Sequence, residues 1–467
     1  MAKYLLKFVK WSVVGIIALA LLAYGVMYLI NWSDQQPSPA AQKMAALYSD
    51  RPAVAEQDNA FVTAMGFTAP QGQDPRQRGA ERIAWFASLS GQPAGMPVVE
   101  PERPSFDPVA TRSAVIQKVY ADCGKVDAAC AAVLAANVQG IAEWTEINGW
   151  LLARYQAMLA QPVWLETVPF EYNTPVPSYS VILDTQRMLL LRTWLLAQQG
   201  DAAGVRGLLD ADIQFWRNVS ASSGSVLTKT VASVALVRHF TWGNLALRLL
   251  PPEQATAAMP ESWLQPLSSE ERSLRRSLAG EWKGLDVMLH KLKDGEGAPV
   301  ELESGGFDGR VERLVWFASR PFLQPQDSSN RYADYLTRLA DTLDVPYAEF
   351  AHALTQAKHL ENEANELAEP VHRPYNIVGD VLSAVAVPTF SGYAGRVYDV
   401  EGVRRAGLLA VQLRGRGIAG QDVAVHLADA DLRNPYSEQP FTWSEAEKSL
   451  VFDGMVEGER GHYAMLY

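Results

Sequence analysis

Lys3, Lys7 and Lys10 lead into an almost unbroken apolar run, Trp11 to Trp32, whose only polar residue before Asn31 is Ser12. At a rise of about 1.5 Å per residue, about 20 apolar residues cross a hydrocarbon core of roughly 30 Å, so this stretch is long enough to span a bilayer. The lysines precede it and Asp34 follows it. By the positive-inside rule, residues 1–10 are expected in the cytoplasm, 11–32 in the inner membrane as a single pass, and the rest of the chain in the periplasm. A cleaved secretory signal has an apolar stretch of only about 7–15 residues, for which Ala18-Leu19-Ala20 would supply the cleavage site. Here the run continues through Leu21, Leu22, Val26, Met27, Leu29 and Ile30 and closes on the interfacial aromatics Tyr28 and Trp32, which predicts a retained anchor.

Of the 467 residues, 435 follow Trp32, enough for two or three packed units. With the three N-terminal lysines set aside, that part carries 52 acidic against 38 basic side chains, a balance of −14. Such a surface disfavours nucleic acid and anionic headgroups as partners. Cys123 and Cys130 are the two cysteines, closely spaced in Cys-Gly-Lys-Val-Asp-Ala-Ala-Cys. In an oxidising compartment this pair predicts a structural disulfide that pins a loop against the following helix. The spacing is too wide for a Cys-x-x-Cys redox pair, and no nearby histidine completes a zinc site.

Helical periodicity dominates the body. Residues 33–57, rich in Pro, Ala, Ser and Gln, read as a tether with a short helical patch at Lys43–Tyr48. Gly91 to Pro108 is too proline-rich for a regular element. From Val133 to Tyr155 apolar residues recur at three- and four-residue steps, predicting one amphipathic helix. Asp184–Gln198 and Val205–Val219 follow as a helix pair around a Gly200-Asp201 turn, with Asp201 as N-cap. Thr228–Leu250 reads as a buried helix stopped by Pro251-Pro252, and its Lys229, Arg238, His239 and Arg248 argue against a second span. A capping box, Ser268 with Glu271, opens a helix expected over Glu270–Lys293. Asp294–Gly309 reads as an acidic, glycine-rich loop, followed by helices at Val311–Ala318, Arg331–Leu343 and Tyr347–Glu369. Pro440–Trp443 and Ser449–Phe452, around a turn at Ser444–Lys448, predict one β-hairpin. The expectation is a mainly α protein: the transmembrane helix, a helical domain over 58–370 built of hairpins in an irregular bundle or solenoid-like array, and a mixed C-terminal subdomain over 371–467.

One helix face draws the eye for chemistry. Glu349, His352, Gln356, His359, Glu363 and Glu366 fall within an arc of about 100°. Two histidines and three glutamates so placed suit a transition metal or acid–base work, and equally suit a solvated helix surface. Gly415-Arg-Gly417-Ile-Ala-Gly420 matches a dinucleotide fingerprint in letters, but Val403–Arg414 before it reads as a helix where the fold requires a strand. Glu303-Ser304 resembles the acid step of lytic transglycosylases without the motif that follows it there. No catalytic residue and no cofactor is assigned.

The layout of short basic start, single span, Pro/Ala tether and helical body resembles the steric lipase foldases, whose Arg-x-x-Phe-Asp-Tyr type signature this chain lacks. It is also similar to uncharacterised single-pass, membrane-anchored helical envelope proteins of Gram-negative bacteria, especially in Tyr375-Asn376 and in Asn434-Pro435-Tyr436 to Trp443. The second likeness confers no function; the anchored helical layout is read as a factor that binds another periplasmic or envelope protein, as an assembly factor, chaperone or immunity-type protein. The alternatives are an envelope hydrolase acting on peptidoglycan or lipid, and a structural or small-ligand-binding component of an envelope complex.

Overall fold

The structure is a computed structural model that describes residues 2–89, 100–101, 104–107, 112–169, 174–295, 307–367, 373–386 and 389–467. Most of the proline-rich stretch 91–108 and of the acidic loop 294–309, with Glu303-Ser304, lies outside the described residues. The first helix, Ala2–Ile30, carries Lys3, Lys7 and Lys10 near its start and contains one stretch, Leu6–Ile30, long and apolar enough to cross a membrane. The rest is mainly helical, with a small C-terminal sheet.

Two apolar cores organise the body. In the first, the helices Tyr179–Gln198, Ala202–Ser222 and Val226–Leu247 pack side by side. Gly200 makes the sharp turn between the first two at φ +76°, a conformation that suits glycine, and Asp201 caps the second by accepting from Gly204 N–H at 2.9 Å. The second core joins Arg275–Asp294, Pro325–Leu343 and Phe350–Leu367 through Leu278, Trp282, Leu336, Leu339 and Phe350. The helix Ser391–Gly415 runs through both: Ala394, Val397 and Tyr398 lie in the second core, and Val400 to Leu413 in the first. Most of its residues are therefore buried, the charged Asp399, Glu401 and Arg404 among them. The expected division at 370/371 is not where the cores part, because this C-terminal helix fills the groove of Val226–Leu247.

A buried charge cluster is centred on its Glu401. Glu401 accepts from Arg404 at 2.7 and 2.8 Å, from Arg405 at 2.7 Å and from Leu267 N–H at 3.2 Å. Burial raises the Glu401 carboxyl, but these guanidinium contacts outweigh it and hold the group below its ordinary range.

Three expectations are corrected. The single helix over Val133–Tyr155 is broken into Ala128–Ala136, Val138–Ile147 and Gly149–Leu159. Asn137 and Asn148 stand at the breaks and fold their side-chain amides back onto Val133 O and Trp144 O, offering the backbone an alternative to continued helix. The helix expected over Glu270–Lys293 is split at Ser273 into Ser269–Arg272, opened by the full Ser268–Glu271 capping box, and Arg275–Asp294. The β-hairpin is a three-stranded antiparallel sheet, β1 Thr442–Ser444, β2 Ser449–Asp453 and β3 His462–Leu466. β1 pairs Thr442 with Val451, and β3 pairs Leu466 with Ser449. Five terminal residues are too few to announce a strand by alternation, and β2 supplies the template. Phe452 of β2 rests on the helix backbone at Gly402, where a Cβ would lie 2.2 Å from the ring.

Cys123 and Cys130 are disulfide-bonded and both are buried. Alkylation of denatured, unreduced protein is expected to label neither cysteine; labelling of both would remove the bridge and the oxidising compartment with it.

A candidate juxtamembrane groove

The tether expected over 33–57 is a docked arm. Ser38 caps the helix Pro39–Ser49 by accepting from Ala41 N–H, Pro39 takes the first helical position, and Ala41 and Met44 enter the second core. Before it, Asn31 to Ser38 lies along the start of the helix Pro325–Leu343. That helix has no side-chain cap of its own. Asp34 provides one from across the chain, its carboxylate accepting from Gln326 N–H at 2.7 Å and Asp327 N–H at 3.1 Å. Two orphan donors are thereby satisfied, and a negative charge meets the positive end of the helix.

Around this cap the contacts are dense. Asn31, 4% exposed, donates to Pro374 O at 2.9 Å and accepts from Asn376 N–H at 2.7 Å, while its own carbonyl accepts from Gln324. Gln35 donates to Asp327, and Asn330 accepts from Ser38 N–H and donates to Gln36 O. Asn376 sits at φ +60°, a conformation asparagine tolerates better than most side chains, and donates to Asp327 and Ser328 while accepting from Gln324 N–H. Tyr375 donates to Ser33 O. The Tyr375-Asn376 step singled out in the sequence is thus a clamp on the exit of the first helix. Asp327 and Asp380 lie beneath it, bridged by Arg373 at 2.8 and 3.1 Å and by Arg331, so two carboxylates meet two guanidinium groups.

Beside the clamp, a groove of about 560 Å³ opens between the arm and the helices Pro325–Leu343, Phe350–Leu367 and Ile377–Ala386. Its floor is apolar and aromatic: Tyr332 and Tyr335, ring centroids 6.1 Å apart, with Leu360, Ala364, Pro39 and Ala40. Arg331, Arg338, Glu363 and Asp380 rim it. Tyr335 and Ser383 line it, and their buried hydroxyls have no hydrogen-bond partner among the described residues. Apolar surface with a few convergent polar groups is the make-up of a recognition site.

The polar face of Phe350–Leu367 is placed differently from a metal site. Glu349, His352, His359 and Glu363 are all exposed, His352 accepts from Gln356 at 2.9 Å, and Glu363 faces Arg338 at 3.9 Å. The side chain of Glu366 lies outside the described residues. Among the described residues, no group of three His, Cys, Asp or Glu is arranged to hold a metal ion. The buried carboxylate on this helix is Glu361, 2% exposed, which accepts from the N–H and hydroxyl of Ser391 at 2.7 Å each and so anchors the helix Ser391–Gly415. Its position on the apolar stripe of Leu354, Ala357 and Ala364 was the signal for a buried, partnered charge.

Two other polar assemblies are occupied by their own partners. A cleft of about 640 Å³ separates the disulfide loop from the sheet. There Arg187 donates to Cys123 O, Arg238 to Leu183 O, and His462 lies 2.7 Å from Asp453 and 3.3 Å from Glu447. In the first core, Asp212 accepts from Tyr155 at 2.9 Å, Gln186 at 3.1 Å and His239 Nδ1 at 2.9 Å, and the indole of Trp263 donates to His239 Nε2 at 2.9 Å. An indole nitrogen only donates, so His239 is the neutral Nδ1–H tautomer. In a hydrolytic triad that Nε2 faces the nucleophile; here Trp263 fills the place, and all three side chains have zero exposure.

The chain matches no protein-family model, and neither a curated protein nor a solved structure is detectably similar to it.

Proposed function

We propose that this chain is a single-pass inner-membrane protein whose body stands in the periplasm and binds another envelope protein through the groove beside its anchor, as an assembly or chaperone factor. The groove itself carries this reading: a floor of Tyr332, Tyr335, Leu360 and Ala364 inside a charged rim, suited to an apolar peptide segment. Its position supports the same reading. The arm that forms one wall begins at the end of the first helix and is hydrogen-bonded to the groove's main helix through Asp34, Gln35 and Ser38. A partner held there would sit at a defined height and orientation over the bilayer. The acidic surface and the single N-terminal basic cluster fit a periplasmic body better than a cytoplasmic one.

Photocrosslinking tests it. With benzoylphenylalanine at Leu360 in the groove, irradiation of cells carrying the full-length protein is expected to give a discrete, protein-sized adduct. The same residue at Val425, 71% exposed and remote from the groove, is expected to give none. Adducts of lipid mass alone, or the same pattern from both positions, would reject the reading.

A further inference from the structure

The helix Phe307–Ser319 presents its apolar side chains away from the protein. Val311 is 45% exposed, Leu314 67%, Val315 60% and Phe317 68%, whereas Trp316 packs against the second core. At about 100° per residue, Val311, Leu314, Val315 and Ala318 share an arc of about 100° on the side opposite Trp316. Four large apolar side chains on one short helix form a contiguous patch, which a water-exposed surface seldom carries without an occupant.

Two contacts say what the occupant is. Tyr24 of the first helix donates to Ala318 O at 3.1 Å, and its ring meets that of Phe322 edge-on at 5.1 Å. Tyr24 lies six residues before the end of its helix, or about 9 Å below it along the axis. The apolar helix is therefore tied to the candidate span inside the span's own outer end, and Leu21, Leu22 and Leu29 of the span are exposed as well. With 13 residues it is about 20 Å long, too short to cross roughly 30 Å of hydrocarbon. It has the length and one-sided character of a helix lying in the interface. Arg320, which follows it, holds its guanidinium 5.7 Å from the Phe317 ring centroid, an apolar stem with a polar tip of the kind that suits an interface.

We infer that Phe307–Ser319 is a second, non-spanning membrane contact, seated in the outer leaflet of the same bilayer that holds the first helix, so that the body is pressed to the membrane at two places and cannot swing about its anchor. The inference rests on the first helix being a membrane span, and the experiment separates the two. Full-length protein with a single introduced cysteine at Leu314, at Leu21 in the span or at Val425 is spin-labelled, reconstituted in phosphatidylethanolamine/phosphatidylglycerol nanodiscs, and probed for collision with oxygen and with a water-soluble nickel chelate. The native cysteines are bridged and do not label.

The expected result is that Leu314 resembles Leu21, with oxygen collisions exceeding nickel collisions, and that Val425 shows the reverse. A Leu314 label as open to nickel as Val425, with Leu21 still in lipid, overturns the inference and leaves the span standing. Nickel access at Leu21 as well would remove both. A Leu314 label shielded from both reagents would overturn it in favour of a protein contact.

Discussion

Asp212→Ala is expected to destabilise the fold by about 3–5 kcal/mol, read as a lower denaturation midpoint together with loss of near-ultraviolet signal from Trp216 and Trp263. The carboxylate has zero exposure and gathers the Tyr155 hydroxyl, the Gln186 amide and the His239 imidazole; Trp216 in turn donates to Tyr155 at 2.8 Å and Trp263 to His239. Truncation strands three buried donors at once, and each unsatisfied donor costs about 1–3 kcal/mol. The loss is not additive, since His239 and Tyr155 can reorient within the space vacated. The network joins the helices Gly149–Leu159, Tyr179–Gln198, Ala202–Ser222 and Val226–Leu247, so its removal loosens the first core at its centre. A change below about 1 kcal/mol would mean that water or other acceptors replace the carboxylate, and would end the argument that it organises the core.

Glu281→Gln acts in the opposite direction and depends on pH. Burial raises the Glu281 carboxyl to about 7, against a hydrogen bond from Val226 N–H that favours ionisation, with the neighbouring Glu166 adding repulsion. Between about 4.5 and 7 the native chain holds a proton at this site that the unfolded chain has released, so stability falls as pH rises through this window and is flat above it. Glutamine keeps the acceptor for Val226 N–H, 3.0 Å away, and removes the charge. The variant is expected to be about 2–3 kcal/mol more stable than the parent at pH 8 and equal to it near pH 4.5. A gain of the same size at both pH values would sink the explanation. Lys229 gives the mirror image: burial lowers its ammonium to about 7, with Glu271 and Asp344 opposing, so the native chain releases that proton first and stability rises with pH from about 7 towards 10.5. Taken together, the two groups place a shallow stability minimum near neutrality.

Both groups sit where helix-level reading had little to say. Lys229 fell within a helix rightly read as buried, but the carbonyls of Ser220 and Glu270 that receive its ammonium come from other segments. Glu281 is one of several charges on an amphipathic helix and is distinguished only by the N-terminus of Val226–Leu247 arriving beside it. Glu361 is the contrary case, a charge overlooked in the sequence although it shares a stripe with Leu354, Ala357 and Ala364. The face of His352 and His359 is exposed, and spacing on one helix states which side chains are neighbours and not what faces them.

What this sequence determined by itself are the properties carried by neighbours along the chain: an apolar stretch of spanning length, a helical body, the turn at Gly200-Asp201, the capping box at Ser268, and a cysteine pair close enough to bridge. Periodicity, capping and hydropathy are all short-range, so they survive without knowledge of the fold. The tertiary structure decided the rest. Asp34 caps a helix start 292 residues away, and a polar, proline-bearing segment has the same composition whether it floats as a tether or docks as an arm. The apolar residues of Phe307–Ser319 would fit a core equally well. Only the helix's placement against Tyr24, with Trp316 turned inward, leaves that face open beside the span, because burial belongs to the packed arrangement and not to the segment.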